Sequence, residues 1–175
     1  HSPEYLINLI RHLIDEYDIT NFHFHGDNFL LFPGFVDNFC DLIRQENLDI
    51  NWIALTRAEH INENKHLLGK MKKAGCVGIE IGIETTQEKS LRIYSKRQTP
   101  QEEIEAINNL KKFNLIPFFN LMSFNPCETI KSNYLQQKKL FNEVLGLGIV
   151  GLGQTATPYP GTDFWKEKED YGILL

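Results

Sequence analysis

The sequence predicts an α/β domain built on a parallel sheet, and three observations carry that expectation. Helical and strand patterns alternate along the whole chain. The strand segments are short apolar runs rich in β-branched and aromatic residues. The length, 175 residues, suffices for one substantial core but not comfortably for two, so residues 1–175 are expected to form a single domain with no internal linker.

Ser2, Pro3 and Glu4 open the first helix with a capping hydroxyl, a proline at the first helical position and an acid in the first turn. Leu6, Leu9, Ile10, Leu13 and Tyr17 follow at helical spacing and predict its buried stripe. A strand is expected at about Asn21 to His25, then a Pro33 and Gly34 break and a helix burying Phe35, Phe39, Leu42 and Ile43. The run INWIAL, Ile50 to Leu55, is the next strand, and a helix from about Asn64 to Ala74 stops at Gly75, a left-handed cap. The run VGIEIGIE, Val77 to Glu84, continues as strand, followed by a short helix over Gln87 to Tyr94. The segment TPQE, Thr99 to Glu102, reads as a capping box ahead of a helix whose stripe is Ile104, Ile107, Leu110 and Phe113. A buried strand at IPFFNLMSF (Ile116 to Phe124), a helix over about Thr129 to Leu145 and a strand over about Gly148 to Thr155 complete the series.

Five parallel strands fall short of the roughly eight that close a βα barrel, which leaves an open arc of such a barrel or a doubly wound sheet. In either, function belongs at the carboxyl ends of the strands. The first helix has no strand before it, which suggests that something is missing upstream.

Composition narrows the function classes. Lys plus Arg number 18 against 23 Asp plus Glu, a net charge of −5 with the basic residues scattered, which disfavours nucleic acid as a partner. No apolar run reaches the roughly 18 to 20 residues of a membrane span and no signal-peptide pattern opens the chain, so a cytoplasmic protein without a membrane partner is expected. Cys40, Cys76 and Cys127 lack metal or disulfide spacing and read as reduced thiols. No phosphate-binding glycine loop follows any strand.

The expected strand ends deliver His25, Gly26 and Asp27; Thr56 and Arg57; Glu84 and Thr85; Ser123 to Asn125; and Gln154 and Thr155 to one rim. His23 and His25 share a strand face, opposite Phe22 and Phe24. Paired imidazoles at a strand end also suit a divalent metal, so a metal-dependent barrel hydrolase using His23 and His25 is one reading, although no further histidine stands at a later strand end. Glu80, on the side of its strand that Glu84 shares, is expected to have a basic neighbour.

Four segments resemble the later part of the core domain of radical S-adenosylmethionine (radical SAM) enzymes. GDNF (Gly26 to Phe29) is similar to the Asp-Asp-x-Phe stretch ending the family's second strand. The run from Ala74 to Thr99 is similar to its fourth-strand region, with Lys96 at the basic position. NLMSFNPCET (Asn120 to Thr129) resembles the fifth-strand turn Gly-x-Pro-Gly-Glu-Thr, and PYPGT (Pro158 to Thr162) the element after strand six. There are departures: Gly26 replaces an aspartate, Phe124 and Cys127 replace glycines, and the Cys-x-x-x-Cys-x-x-Cys loop that binds a 4Fe-4S cluster is absent.

The resemblance implies a partial, open TIM-like βα barrel with about five parallel strands, the family's strands two to six, and outer helices. It implies a fragment beginning just after the cluster loop, inactive alone, whose parent uses S-adenosylmethionine and a 4Fe-4S cluster to make a 5′-deoxyadenosyl radical. Asp27 would contact the methionine amino group, Lys96 its carboxylate, Glu84 and Asn120 the ribose hydroxyls, and Met122 the adenine. His23, His25 and Arg57 would face the substrate, a small molecule or peptide; no catalytic residue or metal ligand is assigned within the chain. The upstream polypeptide and an external electron donor are the implied partners. The Asn-Pro-Cys-Glu-Thr variant resembles members that carry a cobalamin-binding domain. A degenerate, non-catalytic binding module is the remaining alternative.

Overall fold

A computed structural model describes residues 1–85, 88–93, 99–125, 128–144, 149–155 and 157–170. The chain forms α1 (Pro3–Tyr17), β1 (Asn21–Phe24), α2 (Pro33–Gln45), β2 (Asn51–Thr56), α3 (Ala58–Glu63), α4 (Lys65–Lys73) and β3 (Cys76–Glu84). There follow α5 (Glu88–Ile93), α6 (Pro100–Lys112), β4 (Ile116–Phe124), α7 (Ile130–Val144), β5 (Ile149–Thr155) and α8 (Asp163–Lys166).

The five strands lie in the order β1-β2-β3-β4-β5, every neighbouring pair parallel. A doubly wound sheet reverses its strand order at a switch point, and this one does not. Right-handed crossovers between strands taken in chain order put the helices on a single side, which makes the sheet an open arc of a βα barrel. Burial agrees. Phe22 and Phe24, Trp52 and Ala54, Ile79, Ile81 and Ile83, and Phe119 share one core with α1, α2, α3, α4 and α6. The alternate strand residues, among them His23, Ile53, Leu55, Glu80 and Phe118, line the concave face.

The caps expected at Ser2, Thr99 and Gly75 hold, while the boundaries expected at Gln87, Tyr94, Leu145 and Gly148 lie outside the described residues. Ser2 accepts the Tyr5 N–H, and the Thr99 and Glu102 capping box is formed on both sides. Gly75 has φ +87°, and a Cβ there would sit 2.0 Å from the Ile50 carbonyl oxygen, so only glycine fits the turn into β3.

Two expectations are corrected. The buried stripe of α1 is Ile7 and Ile10 with Leu6 and Ile14 beside them, while Leu9 and Tyr17 are 41% and 65% exposed. The seam is rotated because the helix buries its isoleucines against α2, and spacing alone fits either set. The helix expected from Asn64 to Ala74 is α4, but a separate helix, α3, precedes it; its buried Ala58 and Ile61 lie in the core, and Asn62 and Asn109 join it to α6.

Candidate functional site

The carboxyl ends of β1 to β4 meet in a polar rim, and two side-chain networks hold it. At the first, Asn28 follows the exposed Asp27 and is tethered on both of its polar atoms. The Thr56 hydroxyl donates to Asn28 Oδ1 at 2.6 Å while accepting the Leu30 N–H at 3.3 Å, and Asn28 Nδ2 lies 3.0 Å from His60 Nδ1. The amide can only donate, so His60 Nδ1 carries the lone pair in that contact. Beneath this loop, Phe24, Phe29, Phe39 and Trp52 pack with centroids 5.5 to 6.1 Å apart. Asp27 therefore projects into solvent from a loop fixed from below.

The second network centres on Glu128. Its Oε1 accepts from the Thr85 hydroxyl at 2.8 Å and from the Ser90 hydroxyl at 2.6 Å, and its Oε2 from Asn133 Nδ2 at 2.9 Å. Asn133 Oδ1 in turn accepts from Gln137 at 2.8 Å, and both amides donate to the Met122 carbonyl, at 3.2 and 3.0 Å. Thr85 directly follows Glu84, and Met122 lies near the end of β4, so the network ties two neighbouring strand ends together. Sequence reasoning named Glu128 only as part of a turn motif. Thr85 and Ser90 stand 43 and 38 positions from Glu128, so no local signal in the sequence marked the cluster.

On the concave face, His23 Nε2 lies 3.4 Å from Glu80 Oε2, reaching from β1 across β2. Glu80 thus has the basic neighbour expected of it. The His25 ring stands 4.9 Å from that of His23. Arg57, half-buried at the end of β2, pairs with Glu59 at 3.2 Å. Among the described residues, no group of three or more His, Cys, Asp or Glu side chains is disposed to hold a metal ion.

Of the remaining candidates, Met122 is half-buried on β4. Glu84 ends β3 and Asn120 lies on β4, with side chains outside the described set; Lys96 lies outside the described residues. Cys40 and Cys76 are buried, and burial pushes the Cys40 thiol up to about 12 and raises that of Cys76 too. Neither is poised to be a thiolate ligand, and Cys127 lies outside the described residues. A separate open concavity lined by Arg44, Asn47, Asn51, Lys72 and Gly75 sits at the opposite, amino end of the strands. Among the described residues no helix is long and apolar enough to cross a membrane.

The profile of the radical SAM superfamily matches residues 1–131. The chain belongs to that superfamily. Over its whole length it is 33% identical to an uncharacterised methyltransferase of Pyrococcus horikoshii, of which it covers 37%. Over 97% of its length it is 21% identical to the anaerobic magnesium-protoporphyrin IX monomethyl ester cyclase of Rubrivivax gelatinosus, covering 30% of that protein. Among solved structures, TsrM of Kitasatospora setae, a radical S-adenosylmethionine methyltransferase with cobalamin and a 4Fe-4S cluster bound, superposes on 99% of the chain. The TM-score is 0.77 at 12% identity, with 35% of TsrM covered. The coproporphyrinogen III oxidase HemN of Escherichia coli, also a radical SAM enzyme, gives 0.66 at 14% identity over 96% of the chain and 44% of HemN. These likenesses establish the fold, the partial barrel of the superfamily, and the chain spans about a third of the length of the curated relatives it matches.

Proposed function

We infer that this chain is the S-adenosylmethionine-binding and substrate-facing part of a radical SAM enzyme whose 4Fe-4S cluster is held by residues outside it. The observation that carries the reading is the rim itself: Asp27 in the loop after β1, Glu84 at the end of β3, and Asn120 and Met122 on the neighbouring β4, all along one arc. That set fits the ligand. An exposed carboxylate answers an ammonium, short acceptors and an amide suit a vicinal diol, and a thioether lies well against adenine. Lys96 would answer the methionine carboxylate. The described cysteines do not fit the cluster, being buried with raised thiols.

S-adenosylmethionine held here and reduced by one electron through the cluster would break its S–C5′ bond, releasing methionine and supplying a 5′-deoxyadenosyl radical able to abstract hydrogen from substrate. The chain's own part is to hold it at the strand ends and to present His23, His25 and Arg57 toward a small-molecule or peptide substrate. The 33% identity to a methyltransferase supports methyl transfer as the overall reaction class, and the cobalamin in TsrM supports a cobalamin-binding domain elsewhere in the full-length protein. An external electron donor completes the requirement.

The test is anaerobic reconstitution of the full-length protein with iron and sulfide, followed by reduction and assay for 5′-deoxyadenosine. Product from the full-length protein and none from this chain is the expected result. Product from this chain alone would refute the dependence on an outside cluster, and none from the full-length protein would refute the function.

A further inference from the structure

Over its first two turns α7 is inside out. Asn133 is buried and Gln137 half-buried because both amides donate to the Met122 carbonyl, and apolar burial on this helix begins only further on, with Leu140. The outward face carries the large apolar groups: Ile130, Tyr134 and Leu135 are 74%, 61% and 52% exposed. An ordinary surface helix does the reverse, turning its apolar stripe to the core and its polar residues to water. Two exposed lysines frame the outward apolar centre, Lys131 one turn before Leu135 and Lys138 one turn after Tyr134. Their seven-residue separation is about 10 Å along the axis, and no acid stands between Ile130 and Asn142. Lys139, at the edge of the face, has contacts of its own and is not part of this frame.

We propose that this face of α7 docks an amphipathic segment of the parent polypeptide from outside residues 1–175, one with an apolar stripe and acids near either end. Charge complementarity selects the acids, since a segment so built meets both lysines while covering Ile130, Tyr134 and Leu135. The source follows from length: the chain covers 37% and 30% of two curated relatives that it matches over nearly its whole length, which leaves most of such a polypeptide to supply the segment. A second copy of this chain fits poorly. An antiparallel two-fold contact centred between Tyr134 and Leu135 would set Lys131 of each copy against Lys138 of the other, and like charges facing across an interface cost affinity. The inference shares with the proposed function the longer parent protein, but it does not depend on S-adenosylmethionine.

The experiment is carbodiimide cross-linking of the full-length protein, which couples a lysine amine to a carboxylate already in contact with it, followed by mass spectrometry of the band that runs at the mass of one chain. Lys131 or Lys138 should be linked to an Asp or Glu outside residues 1–175. The same lysines linked only in a band of doubled mass would place a second copy on the face, and links confined to acids within residues 1–175, or no links, would leave the face without its partner; each result overturns the proposal. Leu135→Cys, at an exposed position that packing does not constrain, reads the apolar centre separately. In the full-length protein a maleimide should modify it about ten-fold more slowly than Lys111→Cys, at an exposed site on α6, after subtraction of the natural cysteines. Equal rates overturn the docking. A full-length protein that cleaves no S-adenosylmethionine would sink the function above and leave both of these readouts intact.

Discussion

Around the end of β1 the support is aromatic, with Phe24, Phe29, Phe39 and Trp52 in mutual contact, whereas between the ends of β3 and β4 it is polar, with Glu128 gathering three donors. The aromatic side fixes the Asp27 loop through buried area, with each ring pair adding about 0.5 to 1.5 kcal/mol beyond that area. Trp52 Nε1 adds a polar anchor, donating to the Ala74 carbonyl at 2.7 Å. The polar side fixes position through directed bonds, each worth only about 1 kcal/mol net but costly to leave half-made. The first kind of support governs whether the fold stands; the second governs where neighbouring strand ends sit relative to each other.

Breaking the aromatic side should therefore show mainly in stability. Trp52→Ala removes a fully buried ring and is expected to cost about 3 to 5 kcal/mol, measured by denaturant unfolding of this chain. Gly75→Ala comes next, at about 2 kcal/mol or more, because its Cβ would collide with backbone at a positive φ. Loss well below these values would show that the core relaxes around the changes and would blunt the contrast.

Cutting the tether of the β1 loop tests where the two kinds of support meet. Thr56→Val keeps the volume but loses the hydroxyl that both donates to Asn28 and accepts from Leu30, and should cost about 1 to 2 kcal/mol. In the full-length protein it should also weaken S-adenosylmethionine binding through Asp27. A stability loss with unchanged binding would mean that the rings alone hold the loop. Smallest of all, Gly26→Asp should stay within about 0.5 kcal/mol, since nothing lies within 4 Å of a Cβ at that position.

The contrast also marks what the sequence made legible. Strand segments read as short apolar runs, and caps such as Thr99 with Glu102 and Gly75 announced their geometry, because each depends on residues close in the chain. The open arc required more than pattern, since helix and strand alternation fits a doubly wound sheet equally well; the resemblance chose between them and the strand order confirmed it. The rotated seam of α1 was hidden because Leu6 and Ile10 belong to both candidate stripes. The contacts Asn28 to Thr56, His23 to Glu80 and Ser90 to Glu128 join residues from 28 to 57 positions apart, and no local pattern encodes such pairs.

The most direct test of the account is a structure of the full-length protein with S-adenosylmethionine bound. The account predicts the methionine ammonium at Asp27, the ribose at Glu84 and Asn120, and the adenine along Met122, all at the carboxyl ends of the strands. Density for the ligand at the amino ends, in the concavity around Lys72 and Gly75, or a bound ligand that leaves Asp27 and Glu84 untouched, would contradict it.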